Sequence, residues 1–405
     1  MASRADHERV VVTGRGVLTA YGSGVASLQA GLRSGLSAIR FQEHLHEDLP
    51  CRIGARVAPE WGGRRWEEGE RGVGWIVRMA EHAARQAWTD AGLEFAETES
   101  LVAREGLRLH VSLGWGAHDE ETLQMEGDAE AGLACLERVF RPSLGVRNYL
   151  SACAASTQAL ARAWADLSCG RVQRCLVGGA DSRLHEMGIL GYSKLGALAE
   201  GWEARATEAC RPFDVGRKGF VIGEGAGFLV LESLETARHR GAKIHAELVA
   251  GAGNTDSYRL TDRLRVGRWR PVAILECLER GGCAAGEVDY IQAHGTGTLA
   301  NDRAEAASLR RVFGERLADI PVSSLKPYFG HLAMAAGVVE SVACVDLLGG
   351  EWLPPALNCQ EPEPGLGLLL VGPESGGRRV GSILKNSFGF GGQNACVLWR
   401  KLEWG

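Results

Sequence analysis

One order of elements occurs twice along this chain. In the first half, LRLHVSLGWG reads as a strand closing on glycines, and further on Tyr149-Leu150-Ser151-Ala152 runs into Cys153 and the helical stretch ASTQALARAWADL. In the second half, Tyr290-Ile291-Gln292-Ala293 closes on His294-Gly295, and PVSSLKPYFGHLAMAAGVVESVACVDLL again runs strand, turn, helix, with His331 at the turn. The separation from Gly114 to Cys153 nearly equals that from His294 to His331. A repeated pairing of strand and glycine with turn and helix reads as an internal duplication of a βα unit. Such elements bury their apolar faces only as packed α/β layers. Halves packed with their strand ends facing each other would bring Cys153, His294 and His331 towards one centre.

The remaining segments fit this frame. Val10 to Thr13 form a β-branched run ending in Gly14-Arg15-Gly16, which predicts a buried strand and a glycine turn. The spacing of Ile76, Met79, Ala80, Ala83, Ala87 and Ala91 predicts a helix stopped by Gly92. Residues 42–72 show neither period and read as irregular surface. An Ala- and Glu-rich helix is expected through about Phe140, and strands at Arg174–Val177, at Ile244–Ala250 and as a pair from Phe220 to Glu232. Another helix is expected from Pro271 to Arg280. The division this implies is 1–240, carrying the cysteine, and 241–405, carrying the two histidines.

Composition narrows the function classes. The 55 glycines among 405 residues are dispersed among apolar runs, which argues for tight turns and close backbone approaches and against collagen or low complexity. Lys and Arg number 45 against 50 Asp and Glu, so no basic excess exists to neutralise phosphates, and nucleic acid is not the expected partner. No run of roughly 18 uncharged apolar residues suggests a membrane span. Eleven cysteines, with no C-x-x-C pair and no apolar leader after Met1, suit reduced thiols and a cytoplasmic location.

A cysteine where a strand meets a helix N-terminus lies among unpaired amides at the positive end of a dipole, which favours the nucleophilic thiolate. On position alone, Cys153 reads either as that nucleophile or as plain core. His294 stands in Ala-His-Gly-Thr-Gly-Thr, where small neighbours leave the imidazole uncovered, and His331 follows Gly330. Taken singly, each is more often a hydrogen-bonded structural residue, and their equivalent places in the two halves shift that balance. Two neutral imidazoles aimed at one point could donate hydrogen bonds to a carbonyl that becomes an enolate. Lys326 needs a partner if buried, and Glu340 is the candidate, as an ion pair that is structural or serves the site. Asn386-Ser387-Phe388-Gly389-Phe390-Gly391-Gly392 is either a mobile gate with an amide for an oxyanion or an ordinary turn. Ser323-Ser324-Leu325-Lys326 matches S-x-x-K without S-D-N or K-T-G. His44 and His46 lack further ligands, so no metal site is expected.

Together these motifs resemble the β-ketoacyl-acyl-carrier-protein synthases, decarboxylating condensing enzymes of the thiolase superfamily. Ser151 to Ser156 is similar to the family's nucleophile segment, His294 to Thr298 to its first histidine motif, and Lys326 with Gly330-His331 to its lysine and second histidine. Asn386 to Gly392 is similar to the Phe-gated loop. Arg211-Pro212-Phe213-Asp214 and Gly223-Glu224-Gly225-Ala226-Gly227 resemble another landmark. The likeness covers nearly the whole chain.

It implies a thiolase-like fold, two duplicated α/β halves forming a five-layered αβαβα core. It implies acyl transfer from the phosphopantetheine of an acyl carrier protein to Cys153, with the amides of Cys153 and Phe390 holding the oxyanion. Malonyl carrier would then lose carbon dioxide with its thioester carbonyl on His294 and His331, and no cofactor would be bound by the enzyme itself. Thr296 and Thr298 would hold the pantetheine arm, Phe388 would contact substrate, and Lys326 with Glu340 would organise the second histidine. A homodimer, or a heterodimer with a ketosynthase-like subunit, is implied. The stretch between Gly114 and Cys153 is shorter than in typical members, and Trp115 stands where a smaller residue is usual, as a core residue or as a block that shortens the acyl pocket. Two alternatives are a non-condensing partner subunit of the chain-length-factor kind and a cysteine acyltransferase.

Overall fold

The structure is a computed structural model that describes residues 5–61, 64–65, 74–95, 105–114, 128–257, 268–373 and 379–402. Its frame is a twelve-stranded mixed sheet, eleven strands side by side with Gly22–Ser23 paired to Val10–Thr19 off that path. From a central seam, one side runs Val10–Thr19, Gly225–Ser233, Arg174–Asp181, Leu107–Leu113 and Val146–Asn148. The other runs Ala246–Thr255, Gln393–Arg400, Ser382–Gly389, Tyr290–Gln292, Pro321–Ser323 and Leu369–Leu370. On each side the first three strands alternate in direction and the following ones run parallel. The two opening strands meet at the seam, Val10 opposite Leu248 and Val12 opposite Ala246.

Two helices lie between the half-sheets. Ala336–Leu347 is apolar apart from Glu340, Ser341 and Asp346 and is buried except at Asp346, as suits a helix enclosed on every side. It crosses Ala155–Ser168 so closely that a Cβ on Gly337 would lie 2.2 Å from the Thr157 hydroxyl. Trp75–Asp90 covers the outer face of the first half-sheet and Trp269–Gly281 that of the second, which gives five layers. The predicted face of Trp75–Asp90 is buried at Ile76, Met79, Ala80, Ala83 and Ala87, and Gly92 beyond it is left-handed with φ 67°. Among the described residues, no helix is long and apolar enough to cross a membrane.

Several expected boundaries move. Gly14 and Gly16 do not end the first strand, which runs on to Thr19. A Cβ at either would lie about 2 Å from a carbonyl of Trp75–Asp90, 2.0 Å at Gly14 and 1.9 Å at Gly16, so these glycines let a helix lie on the sheet. Gly178, Gly179 and Gly251 likewise sit inside strands. The expected strand pair at 220–232 is one strand, Gly225–Ser233, preceded by a segment that makes single bridges to Leu198, His331 and Ala55. The expected strand at Tyr149–Ala152 lies earlier, at Val146–Asn148. Within 42–72, short paired strands occur at Ile53–Gly54, Glu60–Trp61 and Arg64–Arg65.

Candidate active site

Cys153 sits in a single 3-10 turn, Ala152–Ala154, that feeds the N-terminus of Ala155–Ser168. Its side chain is buried, 4% exposed, and Ala152 is held at φ 48°, a left-handed conformation that an alanine adopts only under constraint from its surroundings. The second half repeats the device: Ala333, φ 43°, opens the turn before Ala336–Leu347. The turn at Cys153 is closed by the C-terminal loop. A Cβ on Gly389 would lie 2.8 Å from the Ser151 carbonyl and 3.1 Å from the Cys153 amide, so glycine is what allows the Phe390 segment to approach Cys153.

His294 follows the strand Tyr290–Gln292, and its loop is clamped by two carboxylates that sequence reasoning missed. The amides of His294 and Gly295 each donate to Glu305 at 2.8 Å. Those of Thr296 and Gly297 donate to Asp302 at 3.2 and 3.3 Å. Both acids lie early in the helix Leu299–Phe313, which Thr298 caps by accepting from the Asn301 amide. The spacing D-x-x-E after His-Gly-Thr-Gly-Thr was the available signal. Burial raises the Asp302 carboxyl to about 6, against the opposing effect of the Phe213 amide and Arg217, and burial pushes Glu305 up as well.

His331 is pinned by its amide, which donates to the Val221 carbonyl at 2.7 Å, and by Gly330 at φ 74°. Its Nδ1 accepts from the Ala333 amide at 3.2 Å. His294 Nδ1 faces the Lys326 ammonium at 3.4 Å. An ammonium has only donors, so His294 Nδ1 is the acceptor there. Both rings are therefore neutral, with the proton on Nε2.

The expected place of Lys326 changes. It does not organise His331: its Nζ donates to the His294 carbonyl at 2.5 Å and to Glu340 at 2.7 Å, beside His294 Nδ1. The reason is the parallel pairing of Tyr290–Gln292 with Pro321–Ser323, which sets the loop after one strand beside the loop after the other. Glu340 also meets a second buried lysine, Lys385, at 3.1 Å. No motif pointed to Lys385.

Cys153, His294, His331, Thr296, Thr298, Phe388 and Phe390 line one open cleft of about 550 Å³. The two imidazole rings are 5.5 Å apart, and Phe388 packs 6.0 Å from His294. The Thr296 and Thr298 hydroxyls, 3.0 Å apart, stand on the wall. Phe390 is half-buried and tilts against Tyr192 at 6.3 Å. Trp115 lies outside the described residues. Among those described, no group of three or more His, Cys, Asp or Glu is placed to hold a metal.

Comparison with known proteins places the chain in a family. Models of the β-ketoacyl synthase N-terminal and C-terminal domains match residues 146–237 and 245–360. The chain is 34% identical to nodulation protein E of Rhizobium meliloti (strain 1021), over 97% of this chain and 99% of that one. It is 32% identical to 3-oxoacyl-[acyl-carrier-protein] synthase 2 of the same organism, with the same coverage. The ketosynthase solved as AntDE:AntF, a type II PKS acyl-carrier protein in complex with its ketosynthase bound to the hexaketide, superposes with TM-score 0.87 at 27% identity, covering 98% of this chain and 99% of that one. The architecture is the ketosynthase, or thiolase-like, fold. The chain belongs to the β-ketoacyl synthase family of acyl-transferring condensing enzymes.

Proposed function

We propose that the chain is a 3-oxoacyl-[acyl-carrier-protein] synthase that performs decarboxylative Claisen condensation. The Cys153 sulfur attacks the thioester of an acyl carrier protein, the phosphopantetheine thiol leaves, and the acyl group remains on Sγ. The amides of Cys153 and Phe390 receive the oxyanion of that step. Malonyl carrier then enters with its pantetheine arm along Thr296 and Thr298. Its thioester carbonyl takes hydrogen bonds from Nε2 of His294 and His331 while the bond to the carboxylate breaks and carbon dioxide departs. The enolate carbon attacks the acyl-cysteine, Sγ is released, and the chain is two carbons longer. The enzyme itself needs no bound cofactor, and the setting is the cytoplasm. Fatty-acid and polyketide-type elongation both fit, as does pairing with a second ketosynthase-like subunit or a second copy.

The observation that carries this reading is the convergence of Cys153 with two neutral imidazoles whose Nδ1 atoms are both engaged as acceptors. A silent chain-length partner has no use for that set, and an acyltransferase without decarboxylation has no use for the paired Nε2–H donors. The test is incubation with acyl carrier and radiolabelled malonyl carrier. The expected products are 3-oxoacyl carrier and carbon dioxide; equal carbon dioxide release by the protein and by a Cys153→Ala, His294→Ala double variant would refute it.

A further inference from the structure

Lys385 stands in the strand Ser382–Gly389, where alternate side chains face opposite ways. Phe388 turns towards His294, whereas Lys385 and Ser387 turn towards the two central helices. The Lys385 side chain is fully buried. Its Nζ donates to the Thr157 hydroxyl at 3.1 Å and to the Ser387 hydroxyl, and it forms an ion pair with Glu340 Oε2 at 3.1 Å. Lys326 has three acceptors: Glu340 Oε1, the His294 carbonyl and His294 Nδ1. An ammonium carries three N–H donors, so both sites are shaped for the charged form. One carboxylate thus serves two ammonium groups, one on each oxygen. Burial lowers the proton affinity of Lys385, with Lys326 adding to that and Glu340 opposing it. The nearby Cys344 thiol is pushed up by burial and stays neutral.

We propose that Lys385 is a positioning residue for the decarboxylation step, fixing Glu340 and adding a second buried positive charge behind His294. This rests on the condensing function proposed above. With Glu340 held from both sides, Lys326 keeps its ammonium against His294 Nδ1, and the His294 proton stays on Nε2, where the thioester oxygen arrives. When the bond to the malonyl carboxylate breaks, its electron pair passes into the enolate and carbon dioxide leaves. The negative charge on that oxygen then develops near a buried cluster of Lys326, Lys385, Glu340 and Glu305, to which Lys385 contributes one positive charge. In a site shielded from water, a preset charge of this kind lowers the barrier to enolate formation. Formation of the acyl-cysteine places its oxyanion at the amides of Cys153 and Phe390 and does not call on Lys385.

The test compares the parent protein with Lys385→Met and Lys385→Arg. Methionine fills the space, the Thr157 and Ser387 hydroxyls already lie 2.8 Å apart and can satisfy each other, and Glu340 keeps Lys326. For Lys385→Met, carbon dioxide release from malonyl carrier should fall roughly 10- to 100-fold in kcat. KM for malonyl carrier and the rate of Cys153 acylation, followed by intact mass, should stay within about twofold. Lys385→Arg should recover part of the loss. Nitrogen-15 spectra should show the His294 ring protonating at higher pH in Lys385→Met, since Lys326, Glu340, Glu305 and His331 are common to both proteins and only the Lys385 charge is gone. Equal loss of acylation and decarboxylation, or an unaltered decarboxylation rate, would overturn the proposal. A parent protein that releases no carbon dioxide would refute the condensing function instead, and unchanged His294 spectra would then still count against Lys385.

Discussion

The imidazoles of His294 and His331 stand nearly perpendicular, with planes at 82° and ring centres 5.5 Å apart, and each has its Nδ1 occupied by a neighbour on its own side. On the function proposed above, the two rings would present Nε2–H from different directions to one oxygen, with the donors held before substrate arrives, so that no reorganisation is needed as charge builds there.

Removal of either donor should therefore act on decarboxylation and spare acylation. His294→Ala or His331→Ala is expected to lower condensation roughly 10²- to 10³-fold, the usual effect of deleting one such donor. Single-turnover acylation of Cys153, measured by intact mass, should persist in both.

The Phe390 loop approaches Cys153 only because Gly389 has no side chain. In Gly389→Ala the new methyl would press on the Ser151 carbonyl at 2.8 Å and the Cys153 amide at 3.1 Å. The expected outcome is slower acylation with little change in global stability, read from acyl-enzyme kinetics beside a denaturation curve.

Gly14 offers the complementary case, remote from the chemistry. A methyl there would lie 2.0 Å from the Ala87 carbonyl, forcing the helix Trp75–Asp90 off the sheet. Gly14→Ala should cost about 1–3 kcal/mol or more, as overpacking does, and chemical denaturation should show it as a lower midpoint.

Acid should also weaken the fold through His110. This ring is fully buried on the strand Leu107–Leu113, 2.7 Å from the Tyr149 hydroxyl, and burial depresses its affinity for a proton to about 3, with Asp166 opposing. Below pH 6.5 the unfolded chain takes up a proton that the folded protein refuses until about pH 3, so stability falls as pH drops through that window. The loss at its acid end is of order 5 kcal/mol. His110→Gln should flatten that slope relative to the parent protein, as measured by unfolding at a series of pH values.

What could be read in the sequence follows what each feature depends on. The face of Trp75–Asp90 was legible because helical period alone specifies it. That Cys153, His294 and His331 line one cleft was legible because each stands where a strand gives way to a turn in equivalent places of the two halves. Gly14 and Gly16 were misread because a glycine that makes a turn and one that admits a neighbouring element show the same missing Cβ. Lys326 was assigned to the nearer histidine in sequence, whereas the parallel pairing of two strands carries it to the farther one. Lys385 was invisible because its partners, Thr157 and Glu340, come from two other elements, and only packing brings them together.

The central claim is that Cys153 carries the growing chain in front of the paired histidines, and intact-mass analysis after exposure to acyl carriers of graded length tests it most directly. The account predicts a mass increase of one acyl group that is absent in Cys153→Ala and that malonyl carrier discharges as 3-oxoacyl product. Acylation that survives in Cys153→Ala, or a protein that no acyl carrier modifies, would contradict it.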